Sequence, residues 1–167
     1  MLNRNFILFA LTASMIIIGC KKPSTTPVFD TSAQAVTDDA LLEKYFKEHS
    51  ITVTKASLGY YYHITDSLRQ PDSVLQAKIG RTAFLRYKGR LLTNTVFDSN
   101  TTSATALIFT VGSGKVIAGL DSAIQHFRKG ETGTVYLPSR LGYGNYSQSV
   151  IPANSCLIFE INKLNVE

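Results

Sequence analysis

The chain has 167 residues, with 17 Lys and Arg against 12 Asp and Glu, three His and two Cys, for a formal charge of +5. The cations are spread out, with adjacent pairs at Lys21-Lys22 and Arg128-Lys129, and this is not the concentrated basic stripe that a nucleic-acid surface needs. The length suits one hydrophobic core, and no internal repeat marks a second domain.

Met1 to Asn5 contains one cation, Arg4, and Phe6 to Ile18 is an apolar run broken by Thr12 and Ser14. Such a run is too short to span a bilayer comfortably and has the length of a signal-peptide core. It ends in Ile17-Ile18-Gly19-Cys20, which resembles a bacterial lipobox, where a cysteine is thioether-lipidated and becomes the new N-terminus. The expectation is a signal peptide over 1–19 and a lipid on Cys20 that anchors the chain to a membrane of the cell envelope. Lys21 and Lys22 add weak attraction to anionic headgroups. Residues 20–36 open rich in Pro, Ser and Thr and read as a flexible tether.

Thr37 has the chemistry of an N-cap, with Asp38 and Asp39 in the first turn of a helix placed within 37–50. Leu41, Leu42, Tyr45, Phe46 and His49 recur at helical spacing, an apolar stripe expected to pack on the domain behind it and leave a monomer, with a dimer interface as the alternative. From residue 51 the pattern becomes β: 51–54 and 59–64 read as extended, Arg69 to Asp72 around Pro71 as a turn, and 82–92, 106–111, 132–137 and 155–164 as further strands. Between Val116 and Phe127, Ile117, Leu120, Ala123, Ile124 and Phe127 share one face of a single helix. The fold class is α+β, an antiparallel sheet over 51–167 wrapped around one short helix, preceded by a short N-terminal helix.

Conventional reaction machinery is missing. His49, His63 and His126 lack the paired spacing of metal ligands, so no metal or cofactor is expected. Gly112-Ser113-Gly114-Lys115 is followed by Val116 and lacks the longer glycine spacing of a phosphate loop. Asn100-Thr101-Thr102 and Asn145-Tyr146-Ser147 match a glycosylation sequon that a bacterial lipoprotein does not use in the eukaryotic way. Cys156, inside an apolar run and without a partner once Cys20 is lipidated, reads as a small buried side chain.

Residues 86 to 164 contain, in order, RYKGRLL, VFDSN, FTVGSGKVIAGLD, LPSRLGYG and VIPANSCLIFEINKL. This succession resembles the FKBP family of peptidyl-prolyl isomerases, in its envelope lipoprotein form. The resemblance implies a pocket with aromatic walls at Tyr87, Phe97, Phe109 and Phe159, and with Val116 and Ile117 along the floor. It further implies that the Ile117 backbone N–H faces the substrate carbonyl, that Asp98 polarises the rim, that Tyr143 offers its hydroxyl to the substrate backbone, and that Ile151 closes the far side. Leu120 stands where familiar members carry a tryptophan, which keeps the floor apolar but smaller. The implied partners are proline-containing polypeptides. The implied activity is rotation about X-Pro bonds, and the alternative is a weakly active module that grips such segments in the same groove.

Overall fold

The computed structural model describes residues 31–66 and 76–167. The expected signal peptide, the lipid site at Cys20 and the turn around Pro71 lie outside the described residues. Helix α1 runs Thr31–Glu48. This moves the expected boundary: residues 31–36, assigned to the tether, form the opening turns of the helix, and Thr37 is no cap. Ala33, Ala35 and Ala40 favour the helical backbone, and the Thr37 hydroxyl donates back to the Ala33 carbonyl at 3.1 Å. Asp38 resembles a first-turn carboxylate, yet its side chain is wholly buried. Its Oδ2 accepts from the Ser139 backbone N–H at 2.8 Å and the Ser139 hydroxyl at 2.7 Å, and Gln34 Nε2 donates to Oδ1 at 2.7 Å.

The helix ends where Ser50 takes a left-handed φ of 53°. The Ile51 N–H then reaches the Phe46 carbonyl at 2.9 Å and the Ser50 N–H the Lys47 carbonyl at 3.4 Å, the paired bonds of a Schellman stop. Residues 51–53, expected as strand, therefore serve to end the helix, with Ile51 and Val53 packed beside it.

Among the described residues seven strands follow: β1 (Thr54–Lys55), β2 (Tyr61–Asp66), β3 (Thr82–Leu91), β4 (Val96–Ser99), β5 (Leu107–Thr110), β6 (Thr132–Leu137) and β7 (Leu157–Val166). They pair antiparallel in the order β1-β2-β6-β7-β3-β4, with β5 also on β3. β4 falls in VFDSN, outside the segments whose pattern predicts a strand. The helix expected over 116–127 is shorter, α2 (Ala118–Ala123) continued by a 3-10 turn at Ile124–His126.

β3 alternates without a break: Ala83, Leu85, Tyr87, Gly89 and Leu91 face inward and the residues between them are half-buried. The period of two puts one set against α2, where Leu120, Ala123, Ile124 and Phe127 complete the core. In β7 a bulge at Asn162, where the register with β3 shifts, lets both Ile161 and Leu164 face inward. On the opposite face Leu42, Tyr45 and Phe46 of α1 bury against Tyr61, Tyr136, Cys156 and Ile158, each large side chain contributing about 1.5–3 kcal/mol. Tyr45 also receives a hydrogen bond from Arg90 at 3.0 Å, and Asp39 receives one from the Tyr61 hydroxyl at 2.7 Å. The helix thus packs on its own domain, as its stripe suggested. Cys156 is buried, and burial followed by the nearby Asp38 carboxylate pushes its thiol up to about 12.

Replacing Asp38 with alanine strands the Ser139 N–H in an apolar setting, at a cost of about 1–3 kcal/mol. Urea unfolding of Asp38→Ala is expected to show that loss, and a variant as stable as the parent removes Asp38 from the docking of α1.

Candidate active site

The inner face of β3 opens toward α2 in a cleft of roughly 330 Å3. Tyr87 enters from β3, Phe97 and Asp98 from β4, Leu107 from β5 and Phe159 from β7, while Leu120 of α2 forms the base with Val116 and Ile117 just ahead of that helix. Tyr143 and Lys115 complete the rim. Phe159 is the hub of the walls. Its ring lies 5.6 Å from that of Tyr87, tilted at 43°, and 5.6 Å from that of Phe97, edge-on at 74°, spacings at which aromatic quadrupoles attract.

Two expected wall residues are placed elsewhere. Phe109 and Ile151 are buried in the core cluster and are not among the residues that line the cleft. Leu107 takes the place expected of Phe109. Both share the inward face of β5, so the alternation pointed to the pair, and the tertiary packing selects which one borders open space.

Two further side chains shape the site, and local pattern did not mark either. β3 pairs with β5 over residues 82–85 and with β4 over 88–90, which leaves its backbone between them without a strand partner on that edge. Asn100 fills the gap with its amide: Oδ1 accepts from the Tyr87 N–H at 2.8 Å and Nδ2 donates to the Leu85 carbonyl at 2.9 Å. The nitrogen that the sequon would offer for glycosylation is thus spent inside the fold. Asp121, 6 % exposed, accepts from the Gly112 N–H through Oδ1 at 2.7 Å and from the Gly114 N–H through Oδ2 at 2.9 Å. The amides that a phosphate loop would present to ligand are filled by the chain's own carboxylate. Gly112 and Gly114 permit this because both sit at positive φ, 80° and 69°.

The polar equipment at the mouth is sparse. The Tyr87 hydroxyl donates to Asp98 Oδ2, and burial, with Asp98 beside it, holds that phenol well above its usual range. Among the described residues no acceptor is bonded to the Ile117 N–H, and the side-chain hydroxyl of Tyr143 stands at the rim. The arrangement can strip water from an apolar group, hold its carbonyl by one backbone donor and orient it with two phenols. It offers no nucleophile, and among the described residues no cluster of His, Cys, Asp and Glu could hold a metal. The histidines have local roles: the His49 ring stacks on Tyr45 at 4.1 Å, and His126 stacks on Tyr62 at 4.2 Å with Nε2 2.9 Å from the Tyr60 hydroxyl.

The family model for FKBP-type peptidyl-prolyl cis-trans isomerases matches residues 74–164. The chain belongs to that family. FK506-binding protein 3 of Candida albicans is 34% identical over 142 residues, 85% of this chain and 31% of its own length. Peptidyl-prolyl cis-trans isomerase FKBP2 of Mus musculus is 32% identical over 94 residues, 56% of this chain and 67% of its own. Among solved structures, FkpA from Escherichia coli superposes with a TM-score of 0.65 at 25% identity, covering 81% of this chain and 62% of that one. AtFKBP13 gives 0.59 at 25% identity, covering 68% and 97%. This FKBP chain spans about a third of the Candida relative, and its helix α1 precedes the part that the family model matches.

The glycine of RYKG has a steric reason. A Cβ on Gly89 would meet Phe97 Cε2 at 2.5 Å and Cζ at 2.6 Å, so the ring can lie on β3 only because no side chain is there. In Gly89→Ala the Phe97 ring is expected to leave its edge-on contact with Phe159, with a loss of about 1–3 kcal/mol from overpacking. Ring-to-ring nuclear Overhauser contacts and thermal unfolding check both, and an unchanged pair of readings contradicts the placement.

Proposed function

We propose that this chain is a peptidyl-prolyl cis-trans isomerase that assists the folding of proline-containing polypeptides at a bacterial cell envelope, held to a membrane through a lipid on Cys20. The observation that carries the catalytic part is the Tyr87–Asp98 pair at the mouth of a cleft walled by Phe97 and Phe159 and floored by Leu120. The barrier to X-Pro rotation, roughly 18–20 kcal/mol, comes from amide resonance. At the top of that barrier the imide is twisted, its carbonyl carries less negative charge and its nitrogen is pyramidal and more basic. Water stabilises the charge-separated planar form, so an apolar cleft that replaces water favours the twisted one. Each 1.4 kcal/mol or so of that preference is worth a factor of about ten in rate.

In this reading the proline ring enters over Leu120 between Phe97 and Phe159. The Ile117 N–H holds the carbonyl ahead of the proline or its neighbour, and the Tyr143 hydroxyl fixes the peptide backbone. Tyr87 donates to Asp98 and so keeps the carboxylate pointed at the rim, where its charge opposes the planar carbonyl dipole. Val116 completes the apolar floor, while Phe109 and Ile151 act from within the core. The phenol of Tyr87 is protonated throughout the neutral range, as any phenol is, and its burial raises its pKa further.

A second reading is favoured by Leu120. A leucine at the base gives the ring a smaller contact than an aromatic plate, which suits gripping extended chains with little turnover. Isomerisation of a prolyl tetrapeptide, followed by exchange spectroscopy, separates the two. Asp98→Ala and Tyr143→Phe are each expected to lower kcat/KM by about tenfold or more, with circular dichroism unchanged. No turnover by the parent chain, together with undiminished suppression of aggregation, selects the binding module.

The envelope assignment rests on the run Phe6 to Ile18 ending at Gly19-Cys20, with Lys21 and Lys22 beside the lipid. In a bacterial host, metabolic labelling with an alkynyl fatty acid is expected to mark the parent chain and not Cys20→Ala, which should also leave the membrane fraction. Labelling that survives the substitution, or a parent chain that never sediments with membranes, removes the anchor.

A further inference from the structure

We propose that the outer face of the sheet holds a second, independent site, which binds acidic extended segments of polypeptide through their carboxylates. Helix α1 covers the part of that face built from β2, β6 and the start of β7. Beyond it lies a groove of roughly 390 Å3 whose floor is Phe84 and Ala106 and whose sides are Arg86, Lys129, Lys163 and Asn165. Ile108, paired across from Phe84 and 55% exposed, extends the apolar strip.

The charge on this face is uncompensated among the described residues. Among the described residues no carboxylate lies within ion-pairing distance of Arg86, Lys129 or Lys163. β3 and β5 contain no acidic residue, and β7 contains one, Glu160. Glu160 is already taken, by Lys88 at 2.7 Å and Arg90 at 2.7 Å.

Arg86 is also held still. Its Nη1 donates to the carbonyls of Asn100 at 3.0 Å and Ser103 at 2.5 Å, and its Nη2 to that of Ala104 at 3.2 Å. A guanidinium has five N–H donors, so two remain, one on Nε and one on Nη2, to receive a carboxylate. Carbonyls fix the side chain without cancelling its charge, and a ligand need not immobilise it on arrival. Lys163 faces Arg86 across the β3–β7 register, so a carboxylate over that pair meets two cations.

The apolar floor selects the kind of anion. A free phosphate has no use for Phe84 and Ile108, and a flat bilayer surface does not enter a groove. An extended chain presents side chains two residues apart on the same side, about 7 Å from one another, which lets an acidic residue engage Arg86 and Lys163 while an aliphatic neighbour rests on the phenyl ring. Charge complementarity of this type acts mainly on association rate and specificity, and it weakens with salt.

The test is fluorescence anisotropy of a labelled, proline-free peptide of Glu-Ser-Leu-Ser repeats, which puts Glu and Leu on the same side two residues apart, against the full-length chain in a neutral detergent. Saturable binding is expected at about 50 mM salt, weakening about tenfold near 0.5 M. The double variant Lys129→Glu, Lys163→Glu is expected to weaken it by a further factor of about ten, with thermal unfolding confirming that the fold is retained. Excess neutral prolyl tetrapeptide, which competes for the cleft alone, should leave the affinity unchanged. The proposal fails if the acidic peptide does not bind, if a Gln-for-Glu peptide binds equally, or if the double variant binds as the parent does. It also fails if the prolyl peptide displaces the probe, or if phosphatidylglycerol vesicles bind in a lysine-dependent way and the peptide does not.

Discussion

Midway along β3 the strand changes partner: residues 82–85 pair with β5, residues 88–90 with β4, and between them the backbone of Leu85 and Tyr87 is paired with the side-chain amide of Asn100. An amide side chain has the donor and acceptor of a peptide group, so it satisfies the ladder at that point without requiring a continuous strand. β4 and β5 are therefore free to diverge. The opening between them admits Phe97 and Asp98 on one side and Leu107 on the other, with Tyr87 between them. Remove that substitution of side chain for strand and the cleft has no mouth.

The rim on either side of the mouth is fixed by a buried carboxylate that receives backbone N–H groups. Asp121 holds the loop that leads through Lys115 and Val116 to Ile117. Asp38, from α1, holds Ser139 at the start of the 3-10 turn Ser139–Leu141, and the Ser139 carbonyl in turn accepts from Gly142 at 2.9 Å and Gly144 at 2.8 Å, on both sides of Tyr143. A helix on the outer face of the sheet is thereby tied to a hydroxyl at the inner site. Each carboxylate takes two donors from the loop it faces, so each loop is fixed by two hydrogen bonds and the rim is held in place.

One strand also divides the chemistry of the domain. The inward residues of β3 give the apolar, nearly uncharged cleft, and its outward residues give Phe84 and Arg86 to the open groove. Two chemically opposite surfaces a strand apart need no extra elements, only the alternation inherent in extended backbone.

That alternation is why much of the architecture was legible from the amino-acid order. The strand expected over 82–92 forms over 82–91 with a period of two. Of the stripe Leu41, Leu42, Tyr45, Phe46 and His49, the three residues Leu42, Tyr45 and Phe46 are buried while Leu41 and His49 stay exposed. Of the face Ile117, Leu120, Ala123, Ile124 and Phe127, the last four enter the core while Ile117 is partly buried beside it. Such patterns are properties of neighbours along the chain. The family's motifs likewise placed Tyr87, Phe97, Asp98, Val116, Ile117, Leu120, Tyr143 and Phe159 around one cleft. What depends on distant partners was not legible. Thr37-Asp38-Asp39 has the form of a helix start, and only Ser139, 101 residues away, makes Asp38 a buried docking group inside a longer helix. Leu107 and Phe109 are equivalent by alternation, and the tertiary packing puts the first at the cleft and the second in the core. Local order fixes which face a side chain takes, whereas the three-dimensional fold fixes what that face meets, because burial and hydrogen-bond satisfaction are settled by groups remote in sequence.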